Sequence, residues 1–224
     1  MFPVFSPPIE RFLATQPWFS AQAQQQQAAI LAQVFTVSAK RGHIILAANE
    51  RPEGWYGVLS GLAKISGRAT SGRRADFLGV ATGDWFGEGA VLKNEPRRYQ
   101  VFALRDTELL CLPSAAFHAL FASSVAFNQF LVRCLNLRVS QAMAVIEAGR
   151  TRSPEHRIAL ALSPLFWSRT RQLDLTQDEL AHLAGMSRQT ANRALNALQE
   201  RGLIQLTLNR IKVLDDTALS RLLE

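Results

Sequence analysis

The 224-residue sequence predicts an α+β chain in three parts: a β-rich first half, a long helix, and a small helical unit closed by a two-stranded wing. Three observations predict it. Short apolar runs punctuated by glycine fill residues 41–113, as strands and tight turns require. Apolar residues then recur at steps of mostly three and four over residues 127–148, as one face of a helix requires. Finally, "LTQDELAHLAGMSRQTANRALNALQERGLIQLTLNRIKVLDD" carries start and stop signals for two short, consecutive helices.

Residues 10–37 read as helical, because "AQAQQQQAAILAQVF" combines good helix formers without Gly or Pro. The glutamine run reads as a solvated helix face. From residue 41, the runs "GHIILAANE", "GWYGVLSG", "LAKISGRATSGRRADFLGVATGDWFGE" and "YQVFALRDTELLCLP" suggest a β-sandwich or β-roll. Residues 71–74, "SGRR", read as a hairpin tip, and Gly61, Gly83 and Gly87 as turn positions needing positive φ.

Residues 113–149 read as helical again. Phe127, Phe130, Leu131, Cys134, Leu137, Gln141, Val145 and Ala148 form a stripe of near-heptad spacing. Such a stripe either packs on its own domain or forms the seam of a parallel dimer. A helix of ~25 residues spans roughly 37 Å, more than a small β-roll needs for covering, and this favours the dimer seam. Gly149 can end the helix, after which Ser153 caps the next one with Pro154 in its first turn. The expected division is therefore residues 1–122, 123–150 and 151–224, with residues 150–153 as a hinge. Pro164 is expected to end or kink the helix begun at Pro154.

Composition narrows the function. Apolar residues make up 48% of the chain, enough for a sizeable core. No apolar run approaches the roughly 18 residues a membrane span needs, and no signal peptide is read at the start, so a cytoplasmic protein with no membrane partner is expected. Cys111 and Cys134 sit in apolar contexts and read as buried thiols rather than a disulfide. His43, His118, His156 and His182 are scattered without ligand spacing, so no metal is expected. No nucleophile–base set and no P-loop is visible, which sets an enzyme aside. The net charge of +7 favours an anionic partner. It does not locate the binding face, since residues 151–224 carry 10 basic and 8 acidic side chains.

The local pattern locates it. Thr176 and Glu179 form a capping box that opens a short helix. Ala181 allows close helix approach, and Gly185 suits a tight turn. Ser187 caps a second helix running from Arg188 to about Arg201, and Gly202 stops it. This is the spacing of a helix-turn-helix. Ala191, Leu195 and Leu198 would face the core, leaving Arg188, Gln189, Asn192 and Arg193 outward. Arginine suits guanine and glutamine suits adenine in a major groove. Two short strands follow, with a polar tip from Thr207 to Arg210, and Arg210 and Lys212 are placed to meet the DNA backbone. Thr176, Ser187 and Thr190 complete the expected DNA-binding set. The alternative is a docking module that uses the same helices on a protein partner.

Taken together, "GWYGVLSGLAKI", "GDWFGE", the long helix and "LTQDELAHLAGMSRQTANRALNALQERGLI" resemble the Crp/Fnr family of bacterial transcription regulators over nearly the whole chain. The resemblance implies an N-terminal double-stranded β-roll of the cyclic-nucleotide-binding type, a dimerisation helix and a C-terminal winged helix-turn-helix. It also implies a homodimer on double-stranded DNA with a two-fold-symmetric operator, and RNA polymerase as a further partner. The family's S-R-E-T-x-x-R pattern reads here Ser187, Arg188, Gln189, Thr190, Ala191, Asn192, Arg193, with Gln189 replacing the acidic residue.

The stretch "GDWFGEGAVLKNEPRRYQVFA" resembles the phosphate-binding cassette of members that bind cyclic AMP. The resemblance implies Gly87 and Glu88 as the Gly-Glu pair, with Glu88 on the ribose hydroxyl and Arg97 on the cyclic phosphate. It departs from the family at Gly89, Arg98 and Tyr99, and the adenine-facing positions are nearest Ala142 and Met143. Three readings stand side by side: a cyclic nucleotide in a modified pose, a different anionic small molecule, or a ligand-free dimer scaffold with the arginines solvated or paired to Glu95 and Glu88. No cysteine precedes Cys111, so the iron–sulfur chemistry of the oxygen-sensing branch is not expected, and His43 reads as a turn residue rather than a haem ligand.

Overall fold

A computed structural model describes residues 7–68, 74–151, 153–167 and 169–224. In chain order the elements are α1 (Pro7–Ala14), α2 (Pro17–Ser20), α3 (Gln24–Leu31), β1 (Phe35–Ala39), β2 (Ile44–Leu46), β3 (Gly54–Ser60), β4 (Leu62–Arg68), β5 (Arg74–Ala81), β6 (Trp85–Phe86), α4 (Glu88–Lys93), β7 (Tyr99–Ala103), β8 (Thr107–Pro113), α5 (Ser114–Ser123), α6 (Val125–Thr151), α7 (Pro154–Leu162), β9 (Gln172–Leu173), α8 (Gln177–Leu183), α9 (Arg188–Glu200), β10 (Ile204–Thr207), β11 (Arg210–Val213) and α10 (Asp216–Arg221).

The first eight strands form two four-stranded sheets, ordered β1-β8-β3-β6, which is antiparallel throughout, and β2-β7-β4-β5. β3 and β8 are the central pair of the first layer, in register from Gly54↔Pro113 to Val58↔Leu109. Gly61, Gly83 and Gly87 have φ of 93°, 94° and 97°, so each holds a turn that a side chain would strain. Of the hairpin tip expected at residues 71–74, residues 71–73 lie outside the described residues and Arg74 begins β5; part of the hinge, Arg152, lies outside them too.

Residues 10–37 form three short helices and a strand where one helical segment is expected. Pro17 starts α2 after an extended Gln16, which breaks the run and turns Trp18 and Phe19 into the core. Phe35 to Ala39 pair with β8 because their aromatic and β-branched side chains suit a strand. Residues 113–149 are likewise divided at Ser124, whose Oγ accepts from the Phe127 amide at 3.3 Å and from Gln22 Nε2 at 2.8 Å. α6 then runs through Gly149 to Thr151. α7 ends at Leu162, just before Pro164, as expected.

By compactness the chain divides into two units, Met1–Ile65 with Val80–Asn136, and Ser66–Gly79 with Leu137–Glu224. The core of the first is aromatic. Trp55 lies 4.4 Å from Trp85 and 5.6 Å from Phe127 between ring centroids, and Phe127 sits edge-on to Trp18 at 5.3 Å and Phe117 at 5.2 Å. Such tilted and edge-on pairs add about 0.5–1.5 kcal/mol each beyond the area they bury. In the second unit, α7, α8 and α9 bury Ile158, Leu180, Ala181, Ala191, Leu195 and Leu198 completely. Its sheet has three strands, β10-β11-β9, where two are expected. Among the described residues, no single helix is long and apolar enough to cross a membrane.

Phe127 is fully buried by its own chain. Phe127→Ala is therefore expected to lower stability by about 3–5 kcal/mol, measured by urea unfolding at fixed protein concentration. A loss under ~1 kcal/mol would place the ring outside the core.

Candidate functional site

The helix-turn-helix is built from α8 and α9. Thr176 Oγ1 accepts from the Glu179 amide at 3.1 Å, and Glu179 Oε2 accepts from the Thr176 amide at 2.8 Å, completing the capping box. Gly185 has φ of 65°, and a Cβ there would meet Arg157 Nη2 at 3.1 Å. That guanidinium donates to the Ala184 and Gly185 carbonyl oxygens at 2.7 and 2.8 Å, tying the turn to α7. Ser187 Oγ accepts from the Thr190 amide at 3.1 Å and bonds its hydroxyl at 2.8 Å.

These caps fix which side chains α9 presents. Arg188, Gln189 and Arg193 are exposed and Asn192 is half-buried, while Ala191, Ala194 and Leu195 face inward. Exposed Asn196 extends the same face by one turn, a position the motif pattern does not reach but helical spacing from Asn192 does. Thr176 and Thr190 spend their hydroxyls on capping, so their first role is to shape the face. Beside it, a cleft of about 580 Å³ runs between Thr176, Gln177, Arg188 and the wing residues Thr207, Leu208 and Asn209.

The wing differs from expectation in one respect. Arg210 Nε donates to Asp174 Oδ1 at 2.7 Å, with both side chains about half exposed. Asp174 precedes α8 in sequence and is brought to the wing by β9, which pairs with β11 at Ile211↔Leu173 and Lys212↔Gln172. Lys212 is exposed on that strand.

In the β-roll the two adjacent arginines part company. Arg97 is 3% exposed, whereas the Arg98 side chain is 86% exposed and lies 3.8 Å from Glu95. Arg97 Nε donates to the Ala47 carbonyl at 3.2 Å and Nη2 to Glu50 Oε2 at 2.9 Å. Its Nη1 is buried and has no hydrogen-bond partner among the described residues. The backbone of Arg97 is fixed too, accepting from Asn49 at 2.7 Å and donating to Glu50 at 2.9 Å. Glu88, at 6% exposure, accepts from Trp55 Nε1 at 3.3 Å. Neither carboxylate expected to pair with Arg97, Glu95 or Glu88, is its partner; Glu50 is.

Around them, a Cβ on Gly87 would approach the Tyr99 hydroxyl at 3.8 Å, and a Cβ on Gly89 would meet nothing within 4 Å. The space at Gly89 is open, and Tyr99 rather than Arg98 supplies the extra bulk. Beneath, Tyr56 and Cys111 face each other across β3 and β8. Burial raises the phenol well above its ordinary value and pushes the thiol up to about 12, so both stay protonated at neutral pH. No group of three or more His, Cys, Asp or Glu among the described residues is arranged to hold a metal ion.

On α6 the stripe expected to face a partner divides. Phe127 and Leu131 are buried in the core of the first unit, and Phe130 and Cys134 pack against it. Gln141 is 5% exposed and donates to the Leu165 carbonyl at 2.8 Å, while Leu137 and Val145 are exposed. Phe127 and Leu131 are turned inward because the helix covers the aromatic core, and Gln141 is held separately by the Leu165 carbonyl. A different row is uncovered: Val125, Val132, Val139 and Ile146, exposed at 71%, 54%, 61% and 49%. These four recur every seven residues, a signal in the sequence masked by the larger phenylalanines beside it.

Comparison with known proteins gives a consistent picture. Residues 36–124 match the cyclic nucleotide-binding domain, and residues 156–222 match the Crp-like helix-turn-helix domain. The chain is 26% identical over 221 residues to the CRP-like cAMP-activated global transcriptional regulator of Mycobacterium tuberculosis, covering 95% of this chain and 99% of that protein. It is 28% identical over 174 residues to the cyclic AMP receptor protein of Thermus thermophilus, covering 77% of this chain and 81% of that one. In fold it resembles FixK2 from Bradyrhizobium japonicum, with a TM-score of 0.72 at 19% identity over 84% of this chain and 96% of the other.

Proposed function

This chain belongs to the Crp/Fnr family of transcription regulators, with a DNA-binding helix-turn-helix, and from that premise we propose a homodimer whose operator affinity is set by a small anionic effector in the β-roll. The observation that carries the DNA reading is the outward row Arg188, Gln189, Asn192 and Arg193 on a doubly bonded N-terminal cap. Residues 151–224 present that row, residues 123–150 join two copies, and residues 1–122 hold the effector. The setting is the cytoplasm, and RNA polymerase is the partner at the promoter.

The two copies meet along Val125, Val132, Val139 and Ile146. β-branched residues at every seventh position suit one of the two apolar rows of a parallel two-stranded pairing. A pair so formed presents two recognition rows related by a two-fold axis, hence a two-fold-symmetric operator. Arg188 and Arg193 donate to guanine edges. Gln189 donates and accepts, which suits adenine where a glutamate would accept from cytosine. Lys212 meets the phosphate backbone directly, and Arg210 does so on leaving Asp174.

The effector reading rests on Arg97. A buried guanidinium with an unpaired N–H and one exposed carboxylate partner fits an incoming phosphate, which accepts two parallel hydrogen bonds. Glu88 serves a ligand hydroxyl and Gly87 and Gly89 leave room for the backbone to approach. A cyclic nucleotide is the effector this set fits, consistent with the cAMP-activated relative. The Tyr99 hydroxyl beside Gly87 favours a second arm, a different anionic effector that accepts from the phenol.

Three outcomes are expected. Gln189→Glu shifts the preferred base pair at one half-site position from A·T toward G·C, read by competition among operator variants on a gel; an unchanged preference removes Gln189 as a reader. Val139→Glu with Ile146→Glu leaves a single chain in sedimentation equilibrium and weakens operator binding at least tenfold; a persistent dimer removes the seam. Cyclic AMP at about 100 times its dissociation constant stabilises the protein by ~2.7 kcal/mol in a thermal melt, and Arg97→Gln abolishes that gain. No gain with cyclic AMP, cyclic GMP or other anions leaves the β-roll a scaffold.

A further inference from the structure

The unit made of Ser66–Gly79 and Leu137–Glu224 contains a cavity of about 160 Å³, apart from the effector cassette and the recognition face. Its walls are mostly apolar and include three aromatic rings: Phe77 of β5, Val145 and Ala148 of α6, Leu160 of α7, then Phe166 and Trp167. Trp167 is held in place. Its Nε1 donates to the Ala161 carbonyl at 2.7 Å, and its ring edge lies where a Cβ on Gly79 would come within 2.4 Å. Only glycine at that position leaves the indole its seat against β5.

Among the described residues lining this space, the cation is Arg157. Arg157 lines the cavity and spends Nη2 on the two turn carbonyls, Ala184 and Gly185. Its Nε and Nη1 make no hydrogen bond or ion pair among the described residues. The acidic residue at the rim, Asp76, is engaged by the Ser66 hydroxyl. An apolar space of roughly 150 Å³ is large enough to take a benzene ring. A guanidinium with free N–H groups at its edge takes a carboxylate.

We propose that this cavity binds a small aromatic carboxylate, its ring among Phe166, Trp167 and Phe77 and its carboxylate on Arg157. The same guanidinium holds the carbonyl oxygens between α8 and α9, so an anion on Arg157 changes the partners of the group that fixes the turn. The site is thereby a second input to the recognition helix, separate from Arg97. Its coupling to DNA rests on the regulator reading above, whereas binding itself does not.

The test uses the full-length chain and benzoate as the probe, with toluene as its uncharged counterpart. Isothermal calorimetry is expected to show one benzoate per chain. Ala161→Leu, which fills the cavity, weakens it at least tenfold. Arg157→Met weakens benzoate at least tenfold and leaves toluene binding in place. Quenching of tryptophan fluorescence accompanies binding and is lost in Trp167→Phe, which reports the site even where the filled variant does not fold. Saturating benzoate shifts operator affinity at least threefold. Unsaturable heats, or an affinity untouched by Ala161→Leu and Arg157→Met, overturn the site. Loss of benzoate binding in Arg97→Gln but not in Arg157→Met places the probe in the β-roll and overturns it as well. Binding with an unchanged operator affinity overturns the coupling alone.

Discussion

One helix has to satisfy two apolar faces, and its own chain covers only one. α6 turns Phe127 and Leu131 into a core of three tryptophans and several phenylalanines. That burial is not optional, because large aromatic side chains supply most of the hydrophobic free energy of so small a unit. The valines at 125, 132 and 139 and Ile146 are left in water. A row of β-branched side chains at every seventh position is costly on a lone helix, in both propensity and exposed area. It becomes favourable against another apolar surface, and on the proposed reading that surface is the identical row of a second copy. The two-fold symmetry proposed for the operator follows from that one constraint on α6.

Two neighbouring arginines take unlike tasks just before β7. Arg97 lies in irregular backbone and Arg98 in a bend, so the chain turns between them and their side chains part. Arg98 takes the outer face, where its 3.8 Å approach to Glu95 contributes little. Arg97 takes the inner face, where removing a cation from water costs several kcal/mol unless its N–H groups are satisfied. A carbonyl and Glu50 satisfy part of that demand, and Nη1 is left over. A protein that only needed a scaffold has a cheaper choice at this position, an apolar residue of similar length. Retaining a partly satisfied guanidinium makes sense where an anion completes the set.

How much of this was readable from the chain depends on how local each feature is. Caps and stops are read within four residues, so Thr176, Glu179, Ser187, Gly185 and Gly202 place α8 and α9 almost to the residue. The positive φ expected at Gly61, Gly83 and Gly87 is a local feature too. What failed was decided at a distance. The glutamine run is helical in α3, but the single helix expected over residues 10–37 is broken at Pro17, because Trp18 has to reach Trp55 and Phe127. β9 has two residues and no signal of its own; pairing with β11 creates it, and with it the Asp174–Arg210 ion pair. The periodic stripe on α6 was sound as a helix signal but silent about which face the core takes. Likewise, nothing in "EPRRY" states that Glu50, far earlier in the chain, would be the partner of Arg97.

On the proposed reading, effector control needs a ligand that contacts something whose arrangement α6 also feels. Glu88 is such a group. Its carboxylate accepts from Trp55 Nε1 at 3.3 Å, a long bond for a charged acceptor. A ligand hydroxyl on Glu88 competes for that oxygen, and Trp55 is the ring against which α6 packs, at 5.6 Å to Phe127 and 5.9 Å to Phe130. Close-packed aromatic rings do not deform by small continuous amounts; they keep one arrangement or shift to another. A change in the hold on Trp55 therefore reaches α6 as a choice between packings. Since the uncovered valine row is on the same helix, any rotation that reseats Phe127 also re-aims Val132 and Val139. On the proposed reading, the pairing of two chains and the occupancy of the cassette are both read by α6, and that is the route by which an effector with no direct contact to DNA acts on the recognition helices.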